Sequence, residues 1–307
     1  MTRVAAVDCG TNSIRLLVAD LHPETGTLEE LDRRMEIVRL GQGVDRTGRL
    51  APEALERTFA ACRGHAELIR AHAAERVRFV ATSASRDAEN RDEFVRGVLD
   101  ILGVEPEVIT GGEEAQLSFT GATRELTGSP HPQPYLVVDI GGGSTEFVVG
   151  DDRVRASRSV DIGCVRLTER HGLRGPATSE QVAAMRADID AALGQAAEAV
   201  PLGEARTLVG LAGTVTTVAG IALELDAYDS TAIHHSRVTR GEVDAIAERL
   251  LTATHDERAA IPVMHPGRVD VIAAGALVLR SVMERTGAEE VVVSEHDILD
   301  GIAWSLA

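Results

Sequence analysis

The sequence contains no lysine, so arginine supplies all 31 of its basic side chains. This absence excludes a Walker A nucleotide-binding loop and a Schiff-base mechanism, because each of them requires a lysine. Arginine binds phosphate through paired hydrogen bonds and is the only side chain left that is always cationic. Any permanently charged side chain that holds an anionic ligand is therefore an arginine.

Cysteine, aromatic residues and long apolar runs are also scarce. Cys9, Cys62 and Cys164 are isolated from one another, which argues against a disulfide framework or a zinc site and is typical of a reducing compartment. No apolar run approaches the ~20 residues that span a bilayer, and no leader pattern follows Met1. We therefore expect a cytoplasmic protein. Its cores must be built from Ala, Val, Leu and Ile, since aromatic residues make up only 3% of the chain.

The formal net charge of −17 disfavours binding to nucleic acid, which requires a broad basic surface. An anionic substrate would need positive charge that is gathered locally. The ten histidines show no metal-ligand spacing, and the one adjacent pair, His234-His235, is predicted to lie in a loop or at a helix end.

The most informative pattern is an internal duplication. Residues 4–18 form an apolar segment, an acidic turn with glycine, and a second apolar segment, and residues 136–149 repeat this order. Without gaps, Asp8 aligns with Asp139, an offset of 131 residues. Each copy predicts a β-hairpin. A repeat of this length indicates two related domains rather than a solenoid.

Strand and helix patterns alternate in both halves of the chain, which predicts an α/β fold. Strands are predicted over residues 76–81, 106–109, 207–211 and 290–294, and helices over residues 52–74, 87–102, 113–124, 181–199, 215–225, 271–285 and a last segment ending at Leu306. The stretch Gly128–Pro134 carries three prolines and is the predicted linker.

Each hairpin carries a turn that is suited to phosphate. Glycine lets the backbone turn tightly and approach a ligand, so that N–H groups reach phosphate oxygens. An ordinary hairpin is the simpler interpretation of either turn alone, but duplication behind an aspartate favours a ligand site. The candidate phosphate contacts in the turns are Thr11, Asn12, Ser13, Gly141, Gly142, Gly143 and Ser144.

Two carboxylates, Asp139 and Glu146, flank the second turn. Hard oxygen ligands beside a phosphate nest suit Mg²⁺, which takes one or two carboxylates together with phosphate oxygens and water. Asp8, at the equivalent point of the first hairpin, is the third metal-ligand candidate. The alternative for Glu146 is a solvated strand residue.

Thr110 and Glu113 have the spacing of a capping box, so the Glu113 side chain is predicted to bond back to the helix start. Glu114 then lies in the first helical turn, where the helix dipole favours its ionised form. An ionised carboxylate is what a base that activates water requires. On spacing alone, an ordinary first-turn glutamate is the simpler interpretation.

Further anion sites are predicted where strands lead into helices. Gly213 and Thr214 fall at a helix start, where N–H groups and the dipole favour phosphate, and residues 81–87 repeat this pattern and add Arg86. Ordinary capping is the alternative for both. Arg15 and Arg86 are the predicted cationic clamps. A second group of arginines is either a guide for a long polyanion or a solvated face: Arg153, Arg155, Arg158, Arg166 and Arg170.

Taken together, the segments 8–15, 81–86, 112–115 and 139–146 resemble the exopolyphosphatase/guanosine pentaphosphate phosphatase (Ppx/GppA) family, and Gly213-Thr214 and residues 293–301 also fit it. This family is part of the acetate kinase–sugar kinase–chaperone–actin superfamily. The resemblance implies a duplicated actin-like, ribonuclease H-like fold of two domains with a cleft between them, closest to the short actinobacterial-type exopolyphosphatases. The expected domains are residues 1–127, joined by a last helix over 299–307, and residues 128–298.

The resemblance also implies an activity: removal of terminal phosphate from inorganic polyphosphate with Mg²⁺ or Mn²⁺. It assigns Glu114 as the base that activates water, Asp139 and Glu146 as acidic residues linked to the metal, and Arg86 and the glycine turns as phosphate contacts. A homodimer without nucleic-acid or membrane partners is expected at the family level. Many relatives continue into further helical domains, so a preference for very long chains is not expected here.

Three alternative functions stay open at this point. The motifs do not separate polyphosphate from guanosine pentaphosphate (pppGpp) as the substrate. Many members of the superfamily are small-molecule kinases, so transfer of phosphate from ATP to an acceptor is a second alternative. A nucleotide-switched binding protein is the third, although it would leave Glu114 without a clear role.

Overall fold

The computed structural model describes residues 1–126 and 129–307, which form two compact units. Unit 1 comprises Met1–Gly121 and Ile298–Ala307, and unit 2 comprises Ala122–Asp297. The predicted boundary between residues 127 and 128, and the first residue of the predicted linker, lie outside the described residues. None of the helices in the described ranges is long and apolar enough to cross a membrane.

Unit 1 is built on a five-stranded sheet. Its strands are β1 Thr2–Cys9, β2 Ser13–His22, β3 Thr27–Ile37, β4 Arg76–Ala81 and β5 Glu107–Val108. The order is β3-β2-β1-β4-β5, with β1, β2 and β3 antiparallel and β4 and β5 parallel to β1. β1 and β2 are mostly buried because apolar residues fill both of their faces, whereas β3 lies at the edge and exposes charged residues.

Helices cover both faces of this sheet. They are α1 Val44–Thr47, α2 Pro52–Ala71, α3 Ser83–Asp87, α4 Arg91–Leu102, α5 Gly111–Thr123 and the last helix of the chain, Ile298–Trp304. One buried cluster joins the sheet to α2 and α4, and a second joins it to the last helix. Gly301 lets the last helix pack closely, since a Cβ atom there would lie 2.0 Å from the carbonyl oxygen of Leu117. The last helix therefore belongs to unit 1, as the family resemblance implied.

Unit 2 is built on a six-stranded sheet. Its strands are β6 Tyr135–Ile140, β7 Thr145–Gly150, β8 Val154–Val160, β9 Thr207–Leu211, β10 Arg237–Thr239 and β11 Glu290–Val293. β6, β7 and β8 are antiparallel, β9 and β11 continue parallel to β6, and β10 closes the edge. The order β8-β7-β6-β9-β11 reproduces that of unit 1. The predicted duplicated actin-like α/β fold is confirmed.

The helices of unit 2 are α6 Cys164–Arg170, α7 Ser179–Ala199, α8 Ala212–Ala222, α9 Ser230–Ile233, α10 Arg240–Thr252, α11 His255–Ala259 and α12 Ile272–Thr286, so that the last helix of the chain is α13. One large aliphatic cluster fills the space between this sheet and its helices. It holds a single aromatic ring, Phe147, as expected for a chain with so few aromatic residues.

One prediction of secondary structure is wrong and two strands were not predicted, each for an identifiable reason. The helix predicted over 87–102 is wrong as one helix, because α3 ends at Asp87 and α4 begins only at Arg91. The pattern also did not indicate β3 or β8. Each is the third strand of its hairpin meander and is rich in charged or polar residues, so it lacks the apolar signature of its neighbours.

Candidate functional site

The predicted site residues fall into two sets, one in each unit. In unit 1, the first hairpin turn begins with Asp8, which is 4% exposed and pairs in register with Arg15. The Arg15 guanidinium donates to one carboxylate oxygen of Asp8 through Nε at 3.0 Å and Nη2 at 2.7 Å. Both residues were predicted to contact ligand, Asp8 a metal and Arg15 a phosphate. The structure shows that the charges of Asp8 and Arg15 compensate each other.

The donors of this turn are held against neighbouring segments. The Thr11 hydroxyl hydrogen-bonds to that of Ser83, at the start of α3, at 2.8 Å. The carbonyl of Asn12 accepts the N–H groups of Val38 and Arg39 at 3.1 and 2.8 Å. The turn is therefore a rigid loop that is fixed from two sides, which suits a preorganised ligand site.

Arg86 and Glu114 lie together in unit 1. Arg86 Nη1 donates to Glu114 Oε2 at 3.1 Å and to the carbonyl of Ile109 at 2.9 Å. Glu114 is only 7% exposed, although it lies in the first turn of α5. A carboxylate that is nearly buried and bonded to a guanidinium is not an ordinary solvated first-turn glutamate. The structure thus shows Glu114 as a nearly buried, ion-paired carboxylate, and its role as a base stays a prediction.

The predicted capping box beside it is wrong in its second half. The Glu113 N–H does donate to the Thr110 hydroxyl, at 3.2 Å. The Glu113 carboxylate, however, accepts from Arg78 Nη2 at 2.8 Å instead of returning to the helix start. A half-buried cation on β4 outcompetes the backbone N–H, because a charged donor makes the stronger hydrogen bond.

In unit 2, the two predicted metal ligands are direct neighbours. Asp139 and Glu146 are paired in register across β6 and β7, so their side chains project from the same face of the sheet. Both are buried, with 7% and 1% exposure. The Ser159 hydroxyl donates to Glu146 Oε1 at 2.7 Å, which fixes that carboxylate from β8. Two buried carboxylates side by side repel each other, and a divalent cation relieves this repulsion.

The glycine turn between them directs its carbonyls toward the start of α6. Gly141 and Gly142 accept the N–H groups of Cys164 and Val165 at 3.0 and 2.9 Å. The Gly143 carbonyl accepts from Arg166 Nε at 2.6 Å. Gly163 permits this close approach, because a Cβ atom there would lie 2.4 Å from the Gly142 carbonyl oxygen. The carbonyls of the turn are thus fixed toward α6, and the Gly141 N–H closes the turn by donating to the Ser144 carbonyl at 3.0 Å.

The third predicted phosphate loop forms the first turn of α8, which begins at Ala212. Ala212 has a φ of 64°, a left-handed conformation that costs a residue with a side chain roughly 1–3 kcal/mol. Such strain is often kept at ligand sites. Thr214 is 1% exposed and packs against Gly275, where a Cβ atom would lie 2.5 Å from its hydroxyl oxygen. The backbone of this loop, rather than the Thr214 hydroxyl, is therefore suited to contact phosphate.

The arginines predicted as a guide for a long polyanion have different partners within unit 2. Arg155 forms an ion pair with Asp151, and Arg170 pairs with Asp188 at 3.0 Å. Arg166 holds the glycine turn, as described above. At least three of the five arginines thus have partners within unit 2. This favours the interpretation of the group as a solvated and structural surface.

Comparison with known proteins identifies the family of the chain. A model of the Ppx/GppA phosphatase family matches residues 18–307. The chain belongs to this family. Exopolyphosphatase 2 of Mycobacterium tuberculosis is 53% identical over 318 aligned residues, which cover 100% of this chain and 99% of that protein.

Solved structures agree with this assignment to the Ppx/GppA family. The crystal structure of an exopolyphosphatase-like protein matches 100% of this chain and 98% of its own, with a TM-score of 0.95 and 42% identity. The Ppx/GppA enzyme of Aquifex aeolicus matches 99% of both chains, with a TM-score of 0.82 and 32% identity.

One residue of this Ppx/GppA chain was not predicted from its sequence. The guanidinium of Arg268 lies over the start of α8, where a Cβ atom on Gly213 would be 1.8 Å from three of its atoms. Gly213 leaves room for this guanidinium, which a Cβ atom at that position would displace. No motif marks Arg268, since it is the last residue of a short proline turn, Pro266–Arg268, in a segment that carried no phosphate pattern.

Proposed function

We propose that the chain is an exopolyphosphatase, which removes the terminal phosphate of inorganic polyphosphate by attack of water. The observation that carries this proposal is the Glu114 carboxylate, which is nearly buried and hydrogen-bonded to Arg86 at 3.1 Å. The full-length similarity to a protein named exopolyphosphatase 2 supports the choice of substrate. A nucleotide-switched binding protein would have no evident use for a carboxylate held in this way, whereas a kinase would use one as the base for its acceptor hydroxyl, so the assay below tests for that transfer.

The metal that we propose is Mg²⁺ or Mn²⁺. Asp139 and Glu146 fit such an ion, because both offer hard oxygen ligands on one face of the sheet, next to the glycine turn. When bound, the ion would withdraw negative charge from the phosphate oxygens. Asp8 remains a candidate for a supporting role, with its charge already compensated by Arg15.

The residues of the chain have separate tasks in this reaction. Glu114 accepts a proton from water as the water oxygen bonds to the terminal phosphorus, and the bond from phosphorus to the bridging oxygen breaks. Arg86 orients Glu114 and, with the N–H groups of the turns, stabilises charge on the phosphoryl oxygens. Such positioned donors are each worth about 10²–10³ in rate.

The test is a phosphate-release assay on polyphosphates of several lengths, on pppGpp and on ATP, with and without Mg²⁺. We expect polyphosphate to give the highest kcat/KM. Glu114→Gln should lower kcat by about 10²–10⁴ and change KM little, because it keeps the hydrogen bond to Arg86 but removes the base. Glu113→Gln is the matched control and should stay near the wild-type rate.

Near-wild-type turnover by Glu114→Gln would remove Glu114 from the mechanism. A higher kcat/KM for pppGpp would make that nucleotide the substrate, and transfer from ATP to an acceptor other than water would make the chain a phosphotransferase. We also expect a cytoplasmic homodimer, and light scattering measures the oligomeric state directly.

A further inference from the structure

Three side chains that are far apart in the sequence converge in unit 2. Glu125 follows α5, His234 directly follows α9, and His296 follows β11. Glu125 Oε2 lies 3.1 Å from His234 Nε2 and 3.4 Å from His296 Nδ1. Within residues 1–126 and 129–307, this is the one group of three or more such side chains with the spacing of metal ligands.

The spacing between these atoms matches the coordination shell of a small transition metal. Zinc takes nitrogen and oxygen ligands at about 2.0–2.2 Å in a tetrahedron, which places neighbouring ligand atoms about 3.3–3.6 Å apart. The two distances to Glu125 are close to this value, and all three ligand atoms lie within 4.8 Å of one another. Small shifts of the side chains would bring all three ligand atoms to this spacing.

The surroundings hold the histidine rings but leave room for an ion. The His235 ring stacks on that of His234, with 3.8 Å between their centroids. Glu295 donates its N–H to His234 Nδ1 at 3.1 Å, and its carboxylate accepts from the Tyr228 hydroxyl at 2.6 Å. The side chains of Glu125 and His296 are 52% and 31% exposed, so solvent reaches the site. Water is thus available as a fourth ligand.

The hydrogen bond from Glu295 shows what metal binding must change. In the neutral ring, Nδ1 accepts a proton donor, so the proton of His234 resides on Nε2 and points at Glu125. A metal ion needs the lone pair of Nε2. Binding therefore moves that proton to Nδ1, and the hydrogen bond from the Glu295 N–H opens. The Glu295 amide becomes a reporter of occupancy.

We propose that Glu125, His234 and His296 form a binding site for a divalent transition metal ion of the zinc class, separate from the magnesium ligands of the catalytic site. Two imidazoles and one carboxylate select such an ion over Mg²⁺, which prefers oxygen ligands alone. The bound ion cross-links the segments that follow α5, α9 and β11. It therefore stabilises the folded state of unit 2 by mass action, since the unfolded chain lacks the assembled site.

The experiment is a Co²⁺ titration of the full chain in excess Mg²⁺, which occupies oxygen-ligand sites. We expect one Co²⁺ per chain with the visible absorption of a tetrahedral ion, displaced by Zn²⁺. His234→Ala and His296→Ala should weaken binding by more than the roughly 10- to 100-fold that loss of an outer-sphere partner costs. His22→Ala, in unit 1, and Glu146→Gln, at the proposed magnesium site, are the controls and should bind as the wild type does.

A second readout is independent of absorption. Zinc should raise the unfolding temperature of the wild type and of His22→Ala but not of His234→Ala, and it should shift the Glu295 amide resonance. Equal Co²⁺ binding by the wild type and His234→Ala would overturn the proposal. So would the absence of stoichiometric binding at micromolar Co²⁺, or loss of binding in Glu146→Gln alone.

Discussion

Arg15 and Glu146 occupy equivalent positions in the two hairpins, each directly across the strands from an aspartate. Asp8 pairs in register with Arg15, and Asp139 pairs with Glu146. In unit 1 the pair is a salt bridge of 2.7 Å, whereas in unit 2 two buried carboxylates lie side by side. The copies have therefore diverged in charge at one position. At this position the hairpin of unit 1 carries an arginine, and that of unit 2 carries a second carboxylate, which suits a cation.

The first prediction concerns this carboxylate pair. Glu146→Gln removes one of the two charges without changing the size of the side chain, so we expect the Mg²⁺ concentration for half-maximal activity to rise by about tenfold or more. Ser159→Ala, which removes the 2.7 Å hydrogen bond to Glu146, should give a smaller shift in the same direction. Activity measured as a function of Mg²⁺ checks both.

The control for this prediction is Glu289→Gln, since the Glu289 side chain is 77% exposed and pairs only with Arg240 among the described residues. It should leave the Mg²⁺ dependence unchanged. If Glu146→Gln and Glu289→Gln required the same Mg²⁺ concentration, Glu146 would not be a metal ligand.

A second prediction concerns the packing beneath the glycine turn. Gly163→Ala would place a methyl group 2.4 Å from the Gly142 carbonyl oxygen, so the turn must move away from α6. We expect a loss of roughly 1–3 kcal/mol in the free energy of unfolding and a marked rise in KM for polyphosphate. Gly194→Ala makes the same change in the open middle of α7 and should stabilise the chain by about 0.5–1 kcal/mol. Wild-type KM in Gly163→Ala would show that the turn does not position substrate.

The hairpins and their turns were predictable because their signal is local. An apolar strand that ends in aspartate and glycine is visible in about fifteen consecutive residues, and the duplication doubles the evidence. The edge strand β3 was not predictable in this way, because its charged residues face solvent and its pairing with β2 is its main support. Its existence depends on a neighbour, which no local pattern contains.

The same reasoning explains the site residues that the pattern left undecided. Glu114 and Glu113 are adjacent and chemically identical in sequence. Their different partners are Arg86 on α3, which pairs with Glu114, and Arg78 on β4, which pairs with Glu113. The convergence of Glu125, His234 and His296 is a third case, since each is an isolated residue until the chain folds.

A third prediction is a pH dependence of stability that arises from His65. This ring is 1% exposed on α2, and burial lowers its pKa to about 4, against an ordinary value of 6.5, with Asp32 opposing the shift. Because the folded-state pKa lies below the unfolded value, the unfolded chain binds a proton first as the pH falls. The stabilisation is complete above pH about 6.5 and is lost progressively between about 6.5 and 4, up to about 3 kcal/mol.

Urea denaturation at pH 7.5, 6 and 5 measures this dependence. His65→Leu removes the titrating group, so its free energy of unfolding should fall less over this range than that of the wild type. His22→Leu, at the partly exposed end of β2, is the control and should keep the wild-type slope. Parallel slopes for the wild type and His65→Leu would assign the acid sensitivity to other groups.

The last prediction concerns the contact that fixes α13 to the sheet. Arg33 Nη2 on β3 donates to Asp300 Oδ1 at 2.7 Å, and Asp300 is 2% exposed. Asp300→Ala leaves the guanidinium beside an apolar surface, although the Arg33 side chain is 28% exposed and keeps Glu30 as a partner. We therefore expect a loss of about 1–3 kcal/mol, less than for a fully buried pair. A double-mutant cycle with Arg33→Ala, followed by urea denaturation, isolates the coupling. The exposed pair Arg240–Glu289 should show a coupling below about 1 kcal/mol in the same experiment. Equal coupling energies for the two pairs would mean that burial adds nothing, and that α13 is held by its apolar face and by Gly301 alone.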